Sequence, residues 1–360
     1  MRSAAFAAFF LVCCAPAHPP ATHAEHRADD RVMRIERRDA TVESDPGIRI
    51  AVREVVAVGG SAPRRVPVIL VHGLGGGGVT SFDSPVAGYS LAEDLARAGH
   101  AVIVLDVRGW ERSTRPPALE APAAVNPPAV PSEEAVRDIG AVVASVRARE
   151  HGPVALFGWA TGGHWVGMYA ATHPDAVSHI VLLNTIYGTP GAWPMRAMLE
   201  DSDRPGEFAR SLGAYNARDT RSMLRSWDAA IPAADKTSWR DPQVAEAYAS
   251  GAVASDPTSS QRTPPSVRLP NGPLRDSYLL AGGTKFWRAG DIRSATLLVR
   301  SELDHWSRPE DVAALQRELG HARRVETRML PQATHFVFLD RPEHGRREFV
   351  DAVEKFLAQP

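Results

Sequence analysis

Residues Val154–Gly163 read V-A-L-F-G-W-A-T-G-G, and this stretch sets the frame for the whole chain. Four apolar residues, Val154 to Phe157, predict a buried strand; Gly158-Trp159-Ala160-Thr161-Gly162 predicts a sharp turn; Gly163 opens a helix. In that geometry residue 160 is held in a strained conformation at the C-terminal edge of a sheet. Gly158 and Gly162 supply the room, because a Cβ at either would strike neighbouring backbone. The residue at the apex is Ala160. A methyl group attacks nothing, so whether the chain catalyses at all is the central question.

Further continuous apolar runs occur at Val68–Val71, Ala101–Leu105, Ile180–Leu183 and Ala295–Val299, with a more mixed run at Val325–Leu330. Uninterrupted runs of this kind indicate strands covered on both faces, hence a parallel sheet in an α/β fold. Two alternating segments before them, Val32–Val42 and Ile48–Val58, suit an antiparallel hairpin at the sheet edge. Helical segments separate the strands. Ser132 reads as an N-cap followed by Glu133 and Glu134, and a closing helix is expected to begin at Asp340 with Glu343 completing a capping box. Between about Tyr187 and Asp291 the alternation stops. Helical pieces are expected there at Phe208–Asn216, Thr220–Ala230, Pro242–Ser250 and Leu274–Trp287, around a Pro/Ser-rich loop at Asp256–Pro273. An insertion of this kind most simply forms a lid over the strand ends. The expected division is therefore a leader at 1–24, a core at 25–186 and 292–360, and a helical lid at 187–291.

Composition narrows the function classes. The 41 basic and 42 acidic residues leave a net charge of -1, so no field draws the chain to nucleic acid or an anionic membrane. Met1–Ala24 combines Arg2, an apolar run from Ala4 to Val12 and small residues with prolines. This reads as a secretory signal peptide, too short for a mature transmembrane anchor, and implies export to the periplasm or medium. Both cysteines, Cys13 and Cys14, lie in this leader. Lipidation at Cys14 is an alternative that Cys13 beside it fits poorly.

Several groups with chemical potential follow one another, each at a strand's C-terminal end. His72-Gly73-Leu74-Gly75 leads into further glycines, a backbone able to aim amides at a developing oxyanion, with Leu74 and the amide of Thr161 as the expected pair. A phosphate cradle would require Gly-Lys-Ser/Thr where this loop has Gly78-Val79-Thr80. Asp106-Val107-Arg108-Gly109 is expected to brace the site loops. The turn around Ala160 has the outline of a nucleophile elbow. Asp304, just past a strand end, is placed to orient an imidazole; Glu302 and Asp311 are weaker candidates. His335, after the last strand, stands where a general base belongs.

In this order, those motifs give a chain that resembles the α/β-hydrolase superfamily of lid-bearing esterases, lipases and epoxide hydrolases, over about Val66–Leu357. The resemblance implies a mostly parallel central sheet flanked by helices with a helical lid inserted between strands. It implies Ala160 at the nucleophile position, Asp304 as acid, His335 as base, and Leu74 with Thr161 as the oxyanion hole. His72, Gly73, Gly75, Gly158 and Gly162 support the motifs. The departure is Ala160, where the family has Ser, Asp or Cys. A Ser-to-Ala replacement is one origin for it, but the retained leader and missing tag favour alanine as natural.

With alanine there, three routes stay open. A water in the space of the missing hydroxyl is activated by His335 for attack on an ester, lactone or related acyl carbonyl. Alternatively, the His335/Asp304 pair takes a proton from the substrate, as in cofactor-free lyases and oxygenases of the same fold, or the chain binds a ligand without turning it over. The eight tryptophans lie between Trp110 and Trp306, which suggests a pocket for an apolar or aromatic small molecule, although core packing accounts for about half of them equally well. No H-E-x-x-H spacing points to a catalytic metal, and no G-x-G-x-x-G follows the first strand, so neither metal nor nucleotide cofactor is expected.

Overall fold

The computed structural model describes residues 33–59 and 63–360, so the leader at 1–24 and its cysteines lie outside the described residues. Eight strands form one sheet: β1 (Arg34–Glu43), β2 (Arg49–Val58), β3 (Val68–Val71), β4 (Val102–Leu105), β5 (Val154–Trp159), β6 (Val177–Leu183), β7 (Ala295–Leu303) and β8 (Val325–Thr334). Their spatial order is β1-β2-β4-β3-β5-β6-β7-β8. Only β1 and β2 run antiparallel to their neighbours; every pairing from β4 to β8 is parallel. The physical reason is visible in the side chains. Every residue of β3, β4, β5 and β6 is buried, so these strands need helices on both faces, whereas β1 carries Arg34, Glu36, Arg37, Arg38 and Asp39 to solvent. Charges along that edge also discourage pairing with another chain.

The covering helices are α1 (Leu91–Arg97), α2 (Ser132–Glu150), α3 (Thr161–Thr172), α7 (Pro309–Glu318) and α8 (Arg346–Leu357); α4 (Thr220–Ala230), α5 (Pro242–Ala254) and α6 (Gly272–Ala281) belong to the stretch between β6 and β7. No helix among the described residues is long and apolar enough to cross a membrane.

Two expected caps are replaced by tertiary contacts. Ser132 is the first residue of α2, not its cap, and donates both its amide and hydroxyl to Asp276 of α6 at 2.7 Å. Asp340 starts no helix: α8 begins at Arg346, after Gly345 at φ 95°, and the Asp340 carboxylate accepts from the Thr334 amide (2.9 Å) and hydroxyl and from Trp227 Nε1 (2.8 Å). A carboxylate that finds three donors elsewhere does not cap the next turn.

The stretch between β6 and β7 is less helical than its sequence suggests. Residues 208–216 form no α-helix, only a 3-10 turn at Arg210–Leu212. Arg204–Phe208 is a strand, a left-handed Gly213 (φ 59°) turns the chain, and Tyr215–Arg218 pairs antiparallel with Val267–Pro270, inside the expected loop. The competing force is nonlocal: the Ala214 carbonyl accepts from the amides of Ala129 and Asn271, tying the turn to two distant segments. α4 matches its expected limits, while α6 stops at Ala281 before Gly282 and a left-handed Gly283. Trp227 of α4 stacks on Phe336 at 4.9 Å, fastening this stretch beside the end of β8.

Candidate active site

β5 delivers Ala160 to the top of the sheet at φ 53°, ψ -113°, a conformation that costs a residue with a Cβ on the order of 1–3 kcal/mol. Surrounding bonds hold it there. The Ala160 amide donates to Leu183 O at 2.8 Å, and the Ala160 carbonyl accepts from Gly163 at 3.1 Å. Glycine is required on either side: a Cβ at Gly158 would overlap the Gly162 carbonyl, and one at Gly162 would overlap the carbonyls of Val71 and His72. The strand–turn–helix read from the sequence is thus packed directly on the end of β3.

The loop after β3 folds across this turn. A Cβ on Gly73 would lie 3.3 Å from that of Ala160, and one on Gly75 would overlap the Tyr248 hydroxyl, which accepts from the Gly76 amide at 3.0 Å. His72 is an internal brace. Its Nδ1 lies 2.7 Å from Gly73 O and its Nε2 accepts from the Val107 amide at 3.0 Å, which fixes the neutral Nδ1–H tautomer; burial pushes its pKa down to about 4. Asp106 accepts from the Gly78 amide (2.8 Å), and Arg108 forms a buried pair with Asp138 (2.5 Å), so both brace the loops as expected. The amides of Leu74 and Thr161 donate to no protein acceptor among the described residues and stand beside Ala160.

His335 follows the last residue of β8 and Asp304 the last of β7, and Nδ1 of the first lies 2.6 Å from Oδ1 of the second. Asp304 also accepts from the amides of Trp306 (2.9 Å) and Ser307 (2.8 Å) and from the Ser307 hydroxyl. Burial pushes this carboxyl up, but the adjoining imidazole and these donors outweigh it and hold it below its ordinary range. The carboxylate is thereby kept ionised against the His335 ring. The loop carrying His335 is anchored to the turn at Ala160, since Trp159 Nε1 donates to the His335 carbonyl at 3.0 Å. The weaker candidates serve elsewhere: Glu302 accepts from the Gln332 amide, and Asp311 pairs with Arg308 at 2.9 Å.

One residue missed by the motif order is His305, whose ring centre lies 4.8 Å from that of His335. Its pKa is pushed down to about 4, first by burial and then by His335, and its Nδ1 has no partner. Asp304, His305 and His335 bring ligand atoms within 4.8 Å of one another, a grouping that could surround a cation and that no H-E-x-x-H search detects. The Asp304 oxygens and His335 Nδ1 already bind each other and the backbone, which leaves little donor capacity for an ion.

A cavity of about 580 Å³ joins these parts. Ala160, Leu74, His335 and His305 line it together with Met195, Met198, Arg218 and the Ser222–Ala230 face of α4. Only Trp159 and Trp306 of the eight tryptophans line it; Trp110, Trp165, Trp193, Trp227, Trp239 and Trp287 are packing residues.

A family model described as the alpha/beta hydrolase fold matches residues 66–342. A human (lyso)-N-acylphosphatidylethanolamine lipase is 27% identical over 132 residues, 37% of this chain and 32% of that protein, so the match spans about a third of the relative's length. Among solved structures, an esterase from Exiguobacterium antarcticum superposes with a TM-score of 0.57 at 16% identity, covering 89% of this chain and 100% of that one. A meta-cleavage product hydrolase from Pseudomonas fluorescens gives 0.56 at 17% identity over 89% and 97%. At such identities the structural matches speak for the fold alone.

Proposed function

This chain belongs to the alpha/beta hydrolase fold family, and from that premise we propose that it is an exported hydrolase of carboxylic esters, lactones or related acyl compounds that works without an acyl-enzyme. The carrying observation is the 2.6 Å contact of His335 Nδ1 with Asp304, on a ring that shares one cavity with Ala160. Asp304 holds the tautomer in which Nε2 is free to accept a proton. A water in the volume beside the Ala160 methyl attacks the acyl carbon as its proton passes to Nε2, and the oxyanion forms against the Leu74 and Thr161 amides. Collapse breaks the bond to the leaving oxygen, the imidazolium returns the proton to it, and acid and alcohol depart. Residues 187–291 act as the lid over this cavity in the same reading.

The measurement is turnover of short aryl esters by the native chain and by His335→Ala. Loss of about 10²–10⁴-fold in kcat/KM is expected for the variant; equal rates contradict the assignment. Ala160 itself favours a second reading, a ligand-binding protein that kept the cavity and lost the reaction. It requires ligand-dependent thermal stabilisation with no product over a broad acyl panel, and detection of any product ends it.

A further inference from the structure

Arg218 ends the strand Tyr215–Arg218 and lines the cavity. Its Nε donates to Asn216 Oδ1 at 2.8 Å, and Asn216 is itself oriented by donating from Nδ2 to Asn271 Oδ1 at 2.7 Å. The two Nη groups have no carboxylate among the described residues. Elsewhere in this fold, enclosed guanidiniums are neutralised: Arg108 by Asp138, Arg268 by Asp256, Arg308 by Asp311, Arg346 by Asp94. Arg300 also lacks a carboxylate, but it donates to Ser307 O and does not line the cavity.

The cavity wall compounds the imbalance. It contains no aspartate or glutamate, and it holds a second arginine, Arg225; burial first, and to a smaller degree the Arg225 charge, drive the Arg218 guanidinium pKa down against the opposing effect of Tyr248. Ser222 and Ser226, on the same face of α4 as Arg225, add hydroxyl donors to this wall. Arg225 is exposed and has Asp219 in its field, whereas Arg218 is half-buried with no carboxylate partner among the described residues, and an enclosed cation without a counter-charge is stabilised when a ligand brings one. Met195, Met198 and Trp306 add apolar surface to the same cavity.

We propose that the cavity selects acyl compounds carrying an oxyanionic group, a carboxylate or a phosphoryl, which Arg218 grips with its free fork while Arg225 assists at the mouth. The apolar part of the ligand lies on the methionines and Trp306, and its carbonyl reaches Ala160. This deepens the reading of the cavity as the substrate site and rests on it. Arg218 is set for bidentate recognition because Asn216 fixes its Nε, leaving the pair of Nη donors for the anion.

The test is binding, read by calorimetry on the full chain without turnover. The probes, none of them a carboxylic ester, are 6-oxoheptanoate (carboxylate), hexyl phosphate (phosphoryl) and octane-2,7-dione (neutral), against the native protein, Arg218→Gln and Arg218→Lys. At least one anion is expected to bind the native chain about tenfold to a hundredfold more tightly than the neutral dione, and whichever does so identifies the source of the charge. Arg218→Gln is expected to erase that preference while keeping the neutral affinity, and Arg218→Lys to retain part of it. Without ligand, Arg218→Gln is expected to melt at the same temperature as the native chain or higher, because an unpaired cation has been removed. Equal affinity for charged and neutral probes, no binding of either anion at millimolar concentration, or an anion preference surviving in Arg218→Gln overturns the proposal. A failure of His335→Ala to lower turnover strikes the hydrolytic reading and leaves these binding results to stand by themselves.

Discussion

Individual residues in this chain are fixed by what surrounds them more than by their own preferences. His72 illustrates the point: the neutral ring bridges the Gly73 carbonyl and the Val107 amide, and burial lowers its pKa from 6.5 to about 4. Between those values the unfolded chain takes up a proton that the folded chain refuses. The stability His72 contributes is therefore full above pH 6.5 and is lost as pH falls toward 4. Comparing native protein with His72→Gln by denaturant unfolding, the gap in stability is expected to narrow by about 1.4 kcal/mol per pH unit across that window. A gap independent of pH contradicts the neutral, buried state. Residue types at strand ends were legible for the same reason that they matter. Asp304 and His335 each follow the last residue of a strand, so their positions in the sequence predict their meeting. Arg218 was not legible, because its significance lies in the carboxylate it lacks, and that appears only when the neighbours are known.

Elements divide along a similar line. The doubly covered strands β3 to β6 announce themselves as unbroken apolar runs, because both of their faces must leave water. The stretch Tyr215–Arg218 does not, since its partner Val267–Pro270 lies some fifty residues on and its pattern is short and half-exposed. Caps fail for a related reason: Ser132 and Asp340 have the composition of N-caps, but α6 and β8 offer them stronger partners. Asp340 in consequence joins two elements, taking Trp227 Nε1 from α4 and both donors of Thr334 from the end of β8. Asp340→Ala strands those buried donors and is expected to cost about 2–4 kcal/mol of stability. Chemical denaturation checks it, and a loss under 1 kcal/mol contradicts the role given to this carboxylate.

At the scale of the whole molecule, the sheet gathers four separated segments at one edge: the loop after β3, the turn after β5, Asp304 after β7 and His335 after β8. Residues of the stretch between β6 and β7 line a cavity of about 580 Å³ together with them. The strained turn, the glycines that make room for it, the two free amides and the Asp304–His335 pair are all formed around a methyl group. The proposed hydrolysis places a water where a serine hydroxyl would stand in this frame. Ala160→Ser supplies that hydroxyl, and a fluorophosphonate probe that reacts only with an activated serine reads whether the parts around it are assembled. Covalent labelling of Ala160→Ser, abolished when His335→Ala is added, is the expected result; absence of labelling in the folded Ala160→Ser protein contradicts it.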